Sequence, residues 1–147
     1  STFTIYLPAV DRDVAEDPVA KSRLRGGSET ILLVDDEPMI LDVGQNMLET
    51  LGYRVLAVQS GDEAVDTYRQ KTGIDLVVLD MIMPDMGGAE TFAQLKRIDP
   101  DVRVLLSSGY SIDGQANEIL NQGCSGFIQK PFSIQEMSSK IRDILNQ

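Results

Sequence analysis

Asp35 and Asp36 follow the apolar run ILLV, Asp80 closes LVVL, Ser107 and Ser108 follow VRVLL, and Lys130 follows GFIQ. Each is a polar break where an apolar run ends. Three carboxylates gathered in one small pocket repel one another, by about 4 kcal/mol for unit charges about 4 Å apart at an effective dielectric near 20. A hard divalent cation suits such a group: Mg²⁺ takes octahedral oxygen ligands, commonly one or two carboxylates completed by water and a phosphoryl oxygen. Lys130 adds a point charge able to pair first with a carboxylate and then with a phosphoryl oxygen. Ser107 or Ser108 adds a hydroxyl donor, and only one of them can point into the pocket, because neighbours on a strand face opposite ways. Carboxylate, metal, ammonium and hydroxyl around one point are the parts needed to move a phosphoryl group, where positioning and charge neutralisation dominate.

These residues act together only if the chain brings them to one edge, and the pattern around them predicts that it does. From Glu29 onward apolar strands and amphipathic helices alternate five times. The first strand is Ile31 to Val34; Pro38 then sits where a first helical turn tolerates proline, and Ile40, Val43, Met47, Leu48 and Leu51 recur at helical spacing until Gly52. Val55 to Val58 is followed by Ser60 and Glu63 in capping-box spacing and a helix through Tyr68. Next come DLVVLD with the helix GGAETFAQLKRI, and VRVLLSS with a helix near Gln115 to Asn121 that stops at Gly123. Last come GFIQK and a helix capped by Ser133 with Glu136, which turns Ile134, Met137, Ile141, Ile144 and Leu145 inward. Continuous Val, Ile and Leu without polar alternation marks strands of a parallel sheet covered on both faces. The fold class is therefore α/β, doubly wound, and in such sheets ligands bind beyond the carboxyl ends of the strands.

Composition narrows the chemistry further. The 147 residues suit one domain of substantial core. With 13 basic against 23 acidic residues, the formal charge of −10 would repel a phosphate backbone, which argues against nucleic acid as a partner. One cysteine and no histidine exclude disulfides, Cys/His zinc sites and histidine-based triads within the chain. No apolar run approaches the roughly 20 residues of a membrane span, and no charged-then-apolar leader opens the sequence, so a cytoplasmic location is expected. Met81, Met83 and Met86 read as core or loop filler, since a thioether is a soft ligand. Gly87 and Gly88 read as turn residues, and Cys124 as a small packing residue with no base to activate it.

The motifs ILLVDDEP, DLVVLDMIMPDMGG, VLLSSGYS and GFIQKPF, in this order and on strand ends, resemble those of the receiver domain of two-component response regulators over nearly all of Glu29 to Gln147. The resemblance implies a flavodoxin-like (βα)5 sheet of order 2-1-3-4-5. It makes Asp80 the phosphoacceptor that attacks a phosphohistidine on a histidine kinase or histidine phosphotransfer protein. It implies that Asp36 binds Mg²⁺ directly and Asp35 mainly through water, with Asp80 and the backbone carbonyl of Ile82 completing the protein ligands. Lys130 would pair with the phosphoryl group and precede Pro131 in a cis bond. Ser108 takes the place of the switch hydroxyl, Gly109 the small position after it, and Phe127 the aromatic switch position. Ile82 and Tyr110 stand where family members tune phosphate lifetime.

The first eight residues, STFTIYLP, resemble the last strand of the ATP-binding domain of sensor histidine kinases. On that reading residues 1–8 are a kinase remnant, 9–28 a linker rich in charge, Pro and Gly, and 29–147 the receiver. The chain would then come from a hybrid kinase, with no ATP site of its own. Two other functions fit the same residues. A Mg²⁺-dependent phosphohydrolase with an aspartyl-phosphate intermediate commonly carries a second acid two residues after its nucleophile, and here that residue is Ile82. A receiver-like scaffold that is never phosphorylated has no need of Asp36, Asp80 and Lys130 together.

Overall fold

The computed structural model describes residues 26–84, 86–109 and 114–146. Five strands, β1 (Thr30–Val34), β2 (Arg54–Val58), β3 (Leu76–Asp80), β4 (Val104–Ser108) and β5 (Gly126–Gln129), alternate with five helices. The helices are α1 (Pro38–Thr50), α2 (Gly61–Gln70), α3 (Gly88–Ile98), α4 (Gly114–Asn121) and α5 (Ile134–Leu145). All strand pairs are parallel and the order is β2-β1-β3-β4-β5. This is the flavodoxin-like sheet expected from the sequence.

Alternation along the strands divides the core into two layers. Leu32, Val34, Val77, Leu79, Val104 and Leu106 pack against α2, α3 and α4. Ile31, Leu33, Leu76, Val78, Leu105 and Ile128 pack against α1 and α5. Both layers hold fully buried Leu side chains, with Phe92 in the first and Ile31 and Ile141 in the second, each contributing about 2 kcal/mol of burial free energy. Apart from Thr30 at the start of β1, the central strands β1, β3 and β4 carry no polar side chain before their carboxyl ends.

Helix starts follow the local chemistry. Ser60 accepts from the Glu63 amide at 3.1 Å, while the Glu63 carboxylate reaches back to the Gln59 amide, one residue earlier than a complete capping box. At α5 the box is complete, with Ser133 and Glu136 each accepting from the other's amide. The buried face of α1 keeps the expected Leu48 and Leu51 but not Val43. Leu41, Gly44, Leu48 and Leu51 turn inward, whereas Val43 is 54% exposed and Met39 80% exposed. The helix is apolar on two sides, so its periodicity fits two faces, and the sheet selects the one that Gly44 allows to approach Leu33 closely.

Residues 1–25 and Tyr110 lie outside the described residues, and with them the kinase-like strand, most of the linker and one position expected to tune phosphate lifetime. Among the described residues no helix is long and apolar enough to cross a membrane.

Candidate functional site

Parallel strands deliver their last residues to one edge, and four of them meet there. Asp35 follows β1, Asp80 ends β3, Ser107 and Ser108 end β4, and Lys130 follows β5. Asp80 lies opposite Ser107 in register, and Ser108 opposite Gln129. The Lys130 ammonium bridges two carboxylates, at 2.6 Å from Asp35 Oδ2 and 3.1 Å from Asp80 Oδ1. Asp35 Oδ1 also accepts from the Glu37 amide at 3.0 Å, which fixes its carboxylate as the chain turns into α1. Asp35 and Asp80 are both buried, and Asp36 is half-buried beside them.

Ligand oxygens of Asp35, Asp36 and Asp80 all lie within 4.8 Å of one another. Among the described residues the Lys130 ammonium pairs with two of these three carboxylates, Asp35 and Asp80. Burial, opposed by the Lys130 charge and reinforced by Asp35 and Asp36, pushes the Asp80 carboxyl up to about 6. Burial alone would lower the Lys130 ammonium, but its hydrogen bond to Asp35 and the charge of Asp80 outweigh that and raise it, so it stays charged. The donor set is all oxygen, compact and short of positive charge, which fits a hard divalent ion such as Mg²⁺.

Asp36, Asp80, Ile82 and Lys130 line one open cleft of about 420 Å³, together with Glu37, Ile40 and Gly109. The exposed Ile82 side chain forms an apolar wall there. Ser108 is buried at the end of β4, and its parity with Leu106 puts it on the α4 side of the sheet, where Phe127 is half-buried against the core. Ser107 shares the parity of Asp80's layer. The bond between Lys130 and Pro131 is cis, as the resemblance implied.

Beside this cleft lies a second, more apolar hollow of about 540 Å³ that sequence reasoning missed. Met39, Val43 and Met47 of α1 face Pro131 and Phe132 across it, and Lys130 and Gly109 border both hollows. Its signal was present in the excess of apolar residues on α1. The remaining candidates behave as structural residues. Met81 and Met83 are buried, and the Cys124 thiol, pushed up by burial, donates to the Val104 carbonyl at 3.1 Å.

The response regulator receiver domain family matches residues 31–142. The chain belongs to this family. Among curated proteins, the sensor kinase CckA of Brucella abortus is 34% identical over the whole of this chain, which spans 17% of that kinase. The response regulator SaeR of Staphylococcus aureus is 31% identical over 80% of this chain, and the match covers half of SaeR. A receiver domain from Clostridium thermocellum superposes with a TM-score of 0.77 at 29% identity, covering 80% of this chain and 94% of that one. The chain is thus a receiver domain of a two-component phosphorelay.

Proposed function

We propose that this receiver accepts a phosphoryl group from a phosphohistidine onto Asp80. The observation that carries the reading is the Lys130 ammonium held between Asp35 and Asp80 at the sheet edge, beside Asp36. An Asp80 carboxylate oxygen attacks phosphorus, the phosphorus–nitrogen bond breaks, and the departing imidazole takes a proton from solvent. Asp36, Asp80 and the Ile82 carbonyl would hold Mg²⁺, with Asp35 acting through water. When bound, the ion neutralises charge on the carboxylates and on the phosphoryl oxygens. Lys130 then exchanges part of its pairing with Asp80 for a phosphoryl oxygen, and the chain keeps the rest of the site in place for that exchange.

Switching follows from the face shared by Ser108 and Phe127. Drawing Ser108 toward the phosphoryl group frees space on the α4 side, into which Phe127 turns, and the surface of α4, β5 and α5 is remodelled. The donor would be a histidine kinase dimerisation domain or a histidine phosphotransfer protein. The apolar hollow between α1 and Phe132 suits its docking, because it adjoins the acceptor cleft at Lys130. Derivation from a hybrid kinase is supported by the alignment with the Brucella kinase, which runs through the segment before Ile31 as well.

Incubation with acetyl phosphate and Mg²⁺, read by intact mass, tests the reading. A single phosphoryl adduct is expected in the native chain and none in Asp80→Asn. No adduct would leave only a scaffold role, and repeated turnover of phosphate esters would indicate a hydrolase.

A further inference from the structure

At the edge of the sheet opposite the acceptor cleft, the chain entering the domain is gripped by α5. Arg142, in the last turn of α5, donates from Nη1 to the Gly26 carbonyl at 3.1 Å and from Nη2 to Glu29 Oε2 at 2.6 Å. Its guanidinium also lies 5.9 Å from the centre of the Tyr53 ring, one residue before β2. Arg142 therefore reaches across 113 residues of sequence to the strand entry.

The grip is shaped for glycine. The Gly27 amide donates to the Leu51 carbonyl at 3.1 Å. A Cβ on Gly26 would stand 1.9 Å from that same carbonyl oxygen, and one on Gly27 would stand 2.1 Å from Glu29 Oε1 and 2.9 Å from Arg142 Nη1. A Cβ on Gly52, itself at φ +99°, would stand 2.6 Å from the Gly27 carbonyl oxygen. The Gly-Gly pair that reads in the sequence as linker is, in the fold, a seat between the ends of α1 and α5.

Glu29 Oε1 and Arg142 Nε are shut off from solvent and bond to none of the described residues. Burial of the Glu29 carboxyl is outweighed by its bond to Arg142, which holds the carboxyl below its usual range and raises the guanidinium, so both stay charged and the bond fixes the chain against α5. We infer that the Arg142–Glu29–Gly26 clasp anchors the incoming chain to α5, so that displacement of α5 on phosphorylation is passed to the segment that precedes Gly26. The anchoring stands on the geometry above, and its coupling to phosphorylation rests on the proposed function. The helix is a suitable lever, since its first turn follows Lys130 and Pro131 and its last turn holds the clasp.

Amide exchange and resonance shifts in the full 147-residue chain test this. Arg142→Met keeps the apolar stem over Tyr53 and removes the donors. Exchange at the Gly27 amide should rise at least tenfold in this variant, with the Leu32 and Val78 amides of the central strands unchanged as the check on folding. Beryllofluoride with Mg²⁺ should shift the Gly27 amide resonance in the native chain and not in Arg142→Met. Glu29→Gln, which keeps shape and removes charge, should give the same two results if Arg142→Met fails to fold. Equal Gly27 exchange in native and variant chains would overturn the anchoring. A Gly27 shift that persists without the arginine would overturn the coupling. If beryllofluoride shifts no resonance at Met81 or Lys130 either, the acceptor reading fails and the coupling with it, while the exchange comparison still decides the anchoring.

Discussion

Lys130 sits closer to Asp35, at 2.6 Å, than to Asp80, at 3.1 Å. The strand-end lysine thus serves Asp35 first, and Asp80 is compensated less closely than Asp35. That asymmetry matches the Asp80 carboxyl being pushed up to about 6 by burial and by its acidic neighbours, despite the lysine.

A stability consequence follows, with a definite sign. Asp80 binds its proton more tightly in the folded than in the unfolded chain, so its contribution is favourable below pH 4 and is lost as pH rises from about 4 to about 6. Asp80→Asn should accordingly match the native chain near pH 4. It should exceed it by on the order of 2 to 3 kcal/mol at pH 7 without divalent ions. Urea unfolding across that range measures the difference, and a gap independent of pH would refute the assignment. Added Mg²⁺ should stabilise the native chain more than the Asn variant, which narrows the gap.

Lys130→Met separates accepting phosphate from responding to it. The nucleophile and the acidic cluster remain, so the Asp80 adduct should still form with acetyl phosphate, but at least tenfold more slowly for want of a cation near the phosphoryl oxygens. The proposed switch contact is removed with it. Resonances at Phe127 that move on phosphorylation of the native chain should stay within a small fraction of that movement in the variant. A full Phe127 response would remove Lys130 from the switch.

Much of this was legible in the sequence because the signals were local and repeated. Five apolar runs ending in polar residues specify both the parallel sheet and the edge at which Asp35, Asp80 and Lys130 meet. The face of α1 was legible only in part: Leu48 and Leu51 are buried as expected, but Ile40, Val43 and Met47 satisfy helical spacing as well as Leu41 and Gly44 do. Only the close approach of Gly44 to Leu33 decides between them, and that is a tertiary fact. Gly26 and Gly27 were opaque for a similar reason. A Gly-Gly pair among charged residues has the composition of a flexible connection, and its partners Leu51 and Arg142 lie far away in sequence.

Gly88 supports the acceptor from behind. A Cβ there would stand 2.8 Å from the Asp80 carbonyl oxygen and 2.8 Å from the Met81 Cα, both backbone atoms that cannot swing aside. Gly88→Ala should therefore cost about 1 to 3 kcal/mol in stability by pushing the start of α3 away from β3. It should also slow adduct formation at Asp80, which intact mass at timed intervals would record. Native stability and native rate together would show that the loop has slack the close packing does not suggest.

The apolar hollow on α1 yields the sharpest division between chemistry and recognition. Met39 and Val43 are 80% and 54% exposed and touch neither the acidic cluster nor the core, so replacing them should change stability by no more than about 0.5 kcal/mol. Val43→Asp puts a charge on the surface that faces Phe132 and Pro131. A phosphohistidine donor that docks there must desolvate that charge, at a cost of about 1 to 3 kcal/mol, or roughly tenfold to a hundredfold in kcat/KM. Acetyl phosphate needs no such surface and should react at the native rate. Comparing the two donors on one variant thus isolates docking: equal loss with both would place Val43 in the chemistry of the acceptor cleft, and no loss with either would remove the hollow from the donor's path.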